Sequence, residues 1–154
     1  MKATRGEHRY DESGLKSIVF RGVEIRRCGD CNETEVAIPA LEDLHRLIAR
    51  TLILKHDRLA AEEIRFLRKH LGFTGVEMAS YIGVTPESVS RWENNAAKME
   101  APAEKLLRLL IARKEPIESY EKELPQVALG KLRRPLRATA RLDREHGWML
   151  KKTA

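Results

Sequence analysis

Two groups of residues in this sequence place usable side chains at fixed spacing. The first is the run Val89-Ser90-Arg91-Trp92-Glu93-Asn94, preceded by Thr85-Pro86-Glu87-Ser88. On a helix opening at Pro86, Val89 and Trp92 share a buried side and leave Pro86, Glu87, Ser90, Arg91 and Asn94 facing outward. An outward arginine can donate two parallel hydrogen bonds to O6 and N7 of guanine, and a carboxylate can accept from the cytosine amino group. Such a face suits the edges of paired bases. The plainer use of the same residues is an ion pair between Glu87 and Arg91, four apart on a solvated helix. The second group is Cys28-Gly29-Asp30-Cys31. Its spacing offers two thiolates to a zinc ion, whereas a closed tetrahedral site needs four ligands, so His8, His45 or a second chain's cysteines would have to complete it. The strand-to-helix setting of a thioredoxin-like redox motif is absent. The histidines at 8, 45, 56, 70 and 146 are scattered and no phosphate loop or nucleophile motif occurs, so catalysis is not expected.

The punctuation around the first group predicts the elements that hold it. Ile64, Leu67, Arg68 and Leu71 share one helical face, and Gly72 ends that helix. Thr74 then caps a short helix, with Glu77 three residues on completing a capping box. Val76, Met78, Ala79 and Ile82 are its apolar positions, Ala79 being small where two helices cross, and Gly83 supplies the positive φ of a tight turn. Thr85 caps the next helix, with Pro86 at its first position and Glu87 in its first turn. Ile82, Val84, Val89 and Trp92 form the wedge between these two helices. A further helix opens near Ala101-Pro102, packs through Leu106, Leu107, Leu110 and Ile111, and breaks at Pro116, after which a short helix passes through Tyr120.

The flanks differ in character. Residues 17–23 and 23–26 read as two short strands around Gly22, and 35–38 as a third. A helix over 39–55 follows, with Pro39 at its first position and an apolar stripe of Leu41, Leu44, Ile48 and Leu52 widened by Leu47 and Leu54. That stripe suits packing on the sheet, or in part a partner helix. From 131 to 152, Arg133, Arg134, Arg137, Arg141 and Arg144 form a basic tail that suits either the phosphate backbone or a solvated helical face, with Leu129, Leu132, Leu136 and Leu142 as its apolar side.

Composition bounds these readings. The chain has 154 residues, room for one domain or two small ones. Its 29 Lys and Arg against 23 Asp and Glu give a net charge of +6, which favours anionic partners. The excess is C-terminal: residues 120–154 hold 9 basic and 4 acidic residues, whereas 61–119 hold 9 of each. Groove binding by the middle of the chain therefore rests on pattern rather than on summed charge. Aromatic residues make up 5%, which argues against a base-stacking single-strand binder. No apolar run reaches the about 18 residues of a membrane span and no signal peptide opens the chain, so a cytoplasmic protein without membrane contact is expected.

With these residues in view, the segment 60–111 resembles the phage-repressor and Cro-like (XRE) helix-turn-helix group, most specifically over 89–94. The resemblance implies a five-helix module with base-contacting side chains at Glu87 and Arg91 and a flanking contribution from Ser90. In that group a glutamine opens the second helix and touches a phosphate; here Gly75 stands in its place, which passes that contact to Thr74 or to backbone amides. Farther upstream, Tyr10-Asp11-Glu12-Ser13-Gly14-Leu15, Gly22-Val23, residues 28–33 and Ile38-Pro39 through Leu44-His45 resemble the zinc-finger-plus-helix-turn-helix proteins of the MqsA (YgiT) antitoxin type. Those carry two Cys-x-x-Cys pairs, of which only the second is present here.

The expectations are therefore an α+β chain: a small zinc-finger-like α+β domain over 1–58, an all-α helix-turn-helix domain over 59–118, and a basic, partly helical extension over 119–154. The expected function is sequence-specific double-stranded DNA binding by a homodimeric, autoregulatory transcriptional repressor on a palindromic operator. The alternative is an antitoxin whose N-terminal domain neutralises a toxin protein. Thr74, Thr85, Pro86, Glu87, Ser88, Ser90, Arg91, Asn94, Asn95 and Lys98 form the expected DNA-contacting set. No cofactor is expected, unless zinc at Cys28 and Cys31.

Overall fold

The protein is described here by a computed structural model covering residues 2–153. It is α+β: three N-terminal strands, five helices and a C-terminal strand pair. Two compact units divide the chain, one built from residues up to Leu47 and from Leu136 onward, the other from Ile48–Pro135.

The first unit is a five-stranded sheet. Its central strand is β2 (Ile18–Arg27), flanked on one side by antiparallel β1 (Lys2–Arg9). Two strands share its other edge: β3 (Thr34–Ala37) runs antiparallel along Glu24–Arg27, and β4 (Ala138–Asp143) runs parallel along Ile18–Arg21. The β5 strand (Gly147–Lys152) then pairs antiparallel with β4. Where pairing on β2 passes from one strand to the other, Gly22 sits at φ +73, and the β1 register slips between Gly6 and Glu7. This is a glycine bulge: the extra residue takes a left-handed conformation that a side chain resists. The inner face carries Ile18, Phe20, Val23, Ala138, Ala140 and Trp148, all buried. Phe20 lies against both Tyr10 and Trp148, with ring centroids 4.7 and 5.4 Å apart. The polar ends of these rings are satisfied, Tyr10 Oη by His45 Nε2 at 2.7 Å and Trp148 Nε1 by the Pro39 carbonyl at 2.8 Å.

The first helix, α1 (Leu41–Leu54), begins in this unit and ends in the second. The second unit continues with α2 (Ala61–His70), α3 (Gly75–Ile82), α4 (Pro86–Glu93) and α5 (Ala101–Lys114). Its core holds Ile48, Leu52, Leu59, Ile64, Leu67, Met78, Leu107 and Ile111, each fully buried. Beneath this core lies an ionic network. Arg108, fully buried, donates to the carbonyl oxygens of Ile53, Lys55 and Asp57 and pairs with Glu104 at 3.1 Å. It thereby satisfies one carbonyl of the last turn of α1 and two of the segment that follows. Glu104 also accepts from Arg58 Nε and from the Leu59 amide. Tyr120, buried in a short 3-10 turn (Tyr120–Lys122), donates to Ile53 O, and burial pushes its phenol up to about 12.

Several sequence expectations are corrected here. The residues read as two strands around Gly22 form one bulged strand, β2, and β1 was not foreseen, because Lys2–Arg9 is mostly polar and exposed. The first helix opens at Leu41 rather than Pro39, since Pro39 and Ala40 form a turn with Ala40 at φ +50. The short helix expected through Tyr120 is present, as a single 3-10 turn. The basic tail from 131 onward contains strands rather than a helix or a free end: in Ala138–Asp143 half-buried Thr139 stands between buried Ala138 and Ala140, and the leucines do not make a common apolar side. Leu136 is buried while Leu129 and Leu132 are exposed. Its basic residues are also dispersed, Arg133 donating to Met99 O and Arg134 to Asp57, while Arg141 lies on the sheet.

Replacing Arg108 by Met keeps the bulk but removes the donors that serve three carbonyls and one buried carboxylate. Breaking a buried pair from one side predicts a loss of about 3 kcal/mol, visible as a lower urea midpoint at unchanged slope. A loss under about 1 kcal/mol would show that the network contributes no net stability.

Candidate nucleic-acid interface

Three successive helices of the second unit are cut to length by left-handed residues. Gly72 at φ +75 ends α2, Gly83 at φ +82 ends α3, and Asn95 at φ +57 follows α4. After each, the chain folds back onto the helix it leaves: Phe73 N–H donates to Arg68 O, Val84 to Ala79 O, and Ala96 to Arg91 O. These are Schellman closures, with asparagine serving as the left-handed residue in the last. At the opposite ends, Thr74 and Thr85 cap α3 and α4, their hydroxyls accepting from the amides of Glu77 and Ser88, each at 3.2 Å. Thr85 Oγ1 also meets Ser88 Oγ at 3.0 Å. Glu77 completes the capping box by accepting from Thr74 N–H at 2.7 Å, and this amide, more than the Thr74 hydroxyl, holds its carboxyl below the ordinary value.

The α4 helix is only eight residues long, so its orientation comes from anchors. Val89 and Trp92 are buried, as are Met78 and Ala79 on α3. Ile82 and Val84, expected in the same wedge, are only half-buried, and Val76 is exposed. The decisive anchor is polar. Glu93 accepts from Arg68 through both oxygens, Nε at 2.5 Å and Nη2 at 3.1 Å, with both side chains largely sheltered. Arg68 Nη1 holds Phe73 O at 2.9 Å as well, so one guanidinium ties the end of α4 to the turn that precedes α3. Arg65 adds a longer contact to Glu93 and a 3.1 Å hydrogen bond to Asn94 Oδ1. Arg65 and Arg68 in these roles were not foreseen from the sequence. The signal was present: both are cations on a helix facing a chain segment that ends in Glu93.

The expected contact residues then separate. Pro86, Glu87, Ser90 and Arg91 are exposed on α4, and Ser88 is half-buried beside its cap. The ion pair weighed between Glu87 and Arg91 is not formed. Asn94 is exposed but engaged, its Nδ2 donating to Ser90 O at 2.9 Å and its Oδ1 accepting from Arg65. Asn95 takes the left-handed turn, and Lys98 is exposed beyond it. Thr74 has both its hydroxyl and its amide committed to Glu77, whose carboxylate would repel a phosphate at that point. Between α2, α3 and α4 lies a cleft of about 370 Å³, lined by Arg65, Arg68, Lys69, Gly75, Pro86, Val89, Ser90, Glu93 and Asn94. Its one carboxylate, Glu93, is shared by Arg68 and Arg65, so that with Lys69 three cations face one anion and the cleft keeps a net positive charge.

The cysteine pair lies at the turn between β2 and β3. Both thiols are free, Cys28 half-buried and Cys31 exposed. The amides of Cys31 and Asp30, and then the Cys31 thiol, hold the Cys28 thiol below its ordinary value. Neither histidine considered as a further ligand joins them: His45 is bonded to Tyr10 and His8 to Glu12. Among the described residues no group of three or more His, Cys, Asp or Glu side chains gathers, so two thiols do not fit a closed zinc site.

Residues 64–112 match the Helix-turn-helix family, a match that runs from within α2 to near the end of α5. That match supports a DNA-binding regulator role for this segment. No curated protein and no solved structure matches the chain. Among the described residues, no helix is long and apolar enough to cross a membrane.

A depressed carboxylate stabilises the fold above its unfolded value and loses that contribution as pH falls through the folded one. The stability of the protein over its Glu77→Gln variant should therefore hold steady at neutral pH and shrink once pH drops below the ordinary value of 4.5. Urea unfolding of both chains at neutral and strongly acid pH measures this; an unchanged difference would remove the capping carboxylate from the account.

Proposed function

We propose that the chain is a sequence-specific, double-stranded DNA-binding transcriptional repressor, acting as a homodimer that reads a palindromic operator, its own promoter included. One observation carries this reading: Arg91 and Glu87 stand exposed and unpaired on a helix whose other face is locked in place. A cation ready to donate to guanine and a carboxylate ready to accept from cytosine lose no internal partner on entering the groove. Pro86, Ser90 and Lys98 extend the same approach, with Thr85, Ser88 and Asn95 shaping the two ends of α4. Asn94 would reach DNA only by yielding its bond to Ser90.

The phosphate contact that Gly75 cannot supply falls to the cleft beside it. The capping box leaves over two first-turn amides of α3, those of Gly75 and Val76, and Gly75 lines the cleft together with Lys69 and Arg65. This reassigns to the cleft the role expected of Thr74. In a dimer, two copies of α4 would enter grooves about 34 to 36 Å apart, or a multiple of that spacing.

A second reading is that the sheet unit binds a partner protein, such as a toxin, with DNA binding as autoregulation. It is favoured by the family match covering only 64–112, which leaves the whole sheet unit to another purpose. Absence of an adjacent toxin gene and of a co-purifying partner would count against it.

Selection of bound duplexes from a random pool should return a two-fold symmetric site. On that site Arg91→Ala should cost about 1 to 3 kcal/mol and relax the preference at one position. Lys69→Ala should instead weaken all sequences alike and flatten the salt slope by about 0.9. Nothing lies within 4 Å of a Cβ added at Gly75, so Gly75→Gln should restore the family's phosphate contact and tighten binding. An Arg91→Ala protein with unchanged affinity and preference would overturn the groove assignment.

A further inference from the structure

We propose that Cys28 and Cys31 are a reversible dithiol–disulfide pair, a modification site open to peroxide, instead of half of a metal centre. This inference stands apart from the DNA-binding reading. Its first ground is the disagreement between ligand count and zinc: a closed site takes four ligands, and among the described residues the two thiols are joined by no third group.

The second ground is geometry. Cys28 N–H donates to Glu33 O at 2.9 Å, which closes the loop between β2 and β3 and holds both of its ends in the sheet. Within that loop Gly29–Cys31 is a turn, and Asn32 takes φ +59 to bring the chain round. A turn brings residues three apart to within about 7 Å between Cα atoms. A disulfide spans about 4.4 to 6.8 Å, so the pair can close without moving either strand. The amides of Cys31 and Asp30, and then the Cys31 thiol, hold the Cys28 thiol below its ordinary value. That arrangement favours the thiolate at one sulfur and holds the second sulfur beside it, the placement that a nucleophilic and a resolving cysteine need. Cys31 is exposed, Cys28 half-buried, and the chain has no other cysteine.

The chemistry balances with peroxide as the oxidant. Cys28 thiolate attacks one peroxide oxygen, the O–O bond breaks, and the departing hydroxide takes a proton to leave as water. Cys28 is then a sulfenic acid. Cys31 sulfur attacks it, the S–S bond forms as the S–O bond breaks, and a second water leaves with the Cys31 proton. Two thiols have lost two hydrogens and one peroxide has become two waters; a dithiol reductant reverses the change.

The test uses the purified full-length chain exposed to hydrogen peroxide, with or without prior zinc. Intact mass should fall by two hydrogens, alkylatable thiols should go from two to none, and dithiothreitol should restore both. Cys31→Ser should stop at a sulfenic acid trapped by dimedone, and Cys28→Ser should react far more slowly, with circular dichroism confirming that each variant is folded. The proposal is overturned if both thiols still alkylate after peroxide. It is overturned as well if the product is a disulfide between two chains, or if zinc binds stoichiometrically and blocks oxidation.

Discussion

The direction of α4 depends on the ion pair between Glu93 and Arg68. An eight-residue helix has too few internal hydrogen bonds to hold its own direction, and Val89 and Trp92 fix which side is buried more firmly than they fix rotation about that contact. A carboxylate gripped by two nitrogens of one guanidinium supplies the missing constraint, because a planar fork accepts a narrow range of angles. The same guanidinium bonds Phe73 O, so the end of α2, the turn after it and the end of α4 share one reference point. A sheltered pair of this kind adds little net stability over an apolar contact of equal size. What it contributes is orientation.

Along α4 the side chains divide by task. Val89, Trp92 and Glu93 are committed inward, and Thr85 and Ser88 to the cap. Glu87 and Arg91 are left with no internal obligation. The same economy governs α3, where Thr74 and Glu77 satisfy each other and leave Gly75 bare beside a positive cleft. Helix ends that are internally closed repel or ignore anions, while those with donors to spare attract them. In this chain the contrast lies within a single turn of α3.

How legible the sequence was depended on the range of the interaction. Thr74 with Glu77, Thr85 with Pro86, and the glycines at 72 and 83 are local signals, and the structure has each where its spacing implied. Pairing across the chain left no such trace. The β1 strand is polar because its side chains lie mostly in solvent, and β4 exists because its short run meets β2, far away in sequence. The helical reading of the last segment failed on the same ground: its leucines recur at near-helical spacing, yet the hairpin is set by Gly147 at φ +75 and by Asp143 accepting from the amides of Glu145 and His146. Arg65 and Arg68 were visible as cations, but their partner became evident only once α2 and α4 were side by side.

The parallel pairing of β2 with β4 has a consequence for how the molecule is made. All of α2 to α5 lies in the chain between those two strands, so the helical unit emerges from the ribosome while β2 still has part of one edge open. Helical contacts are local and form quickly, whereas that strand must wait for a distant mate. Nascent chains therefore pass through an interval in which Ile18, Phe20 and neighbouring backbone donors are uncovered. Bulky shielding by a chaperone, or by a second nascent chain, would matter most during that interval.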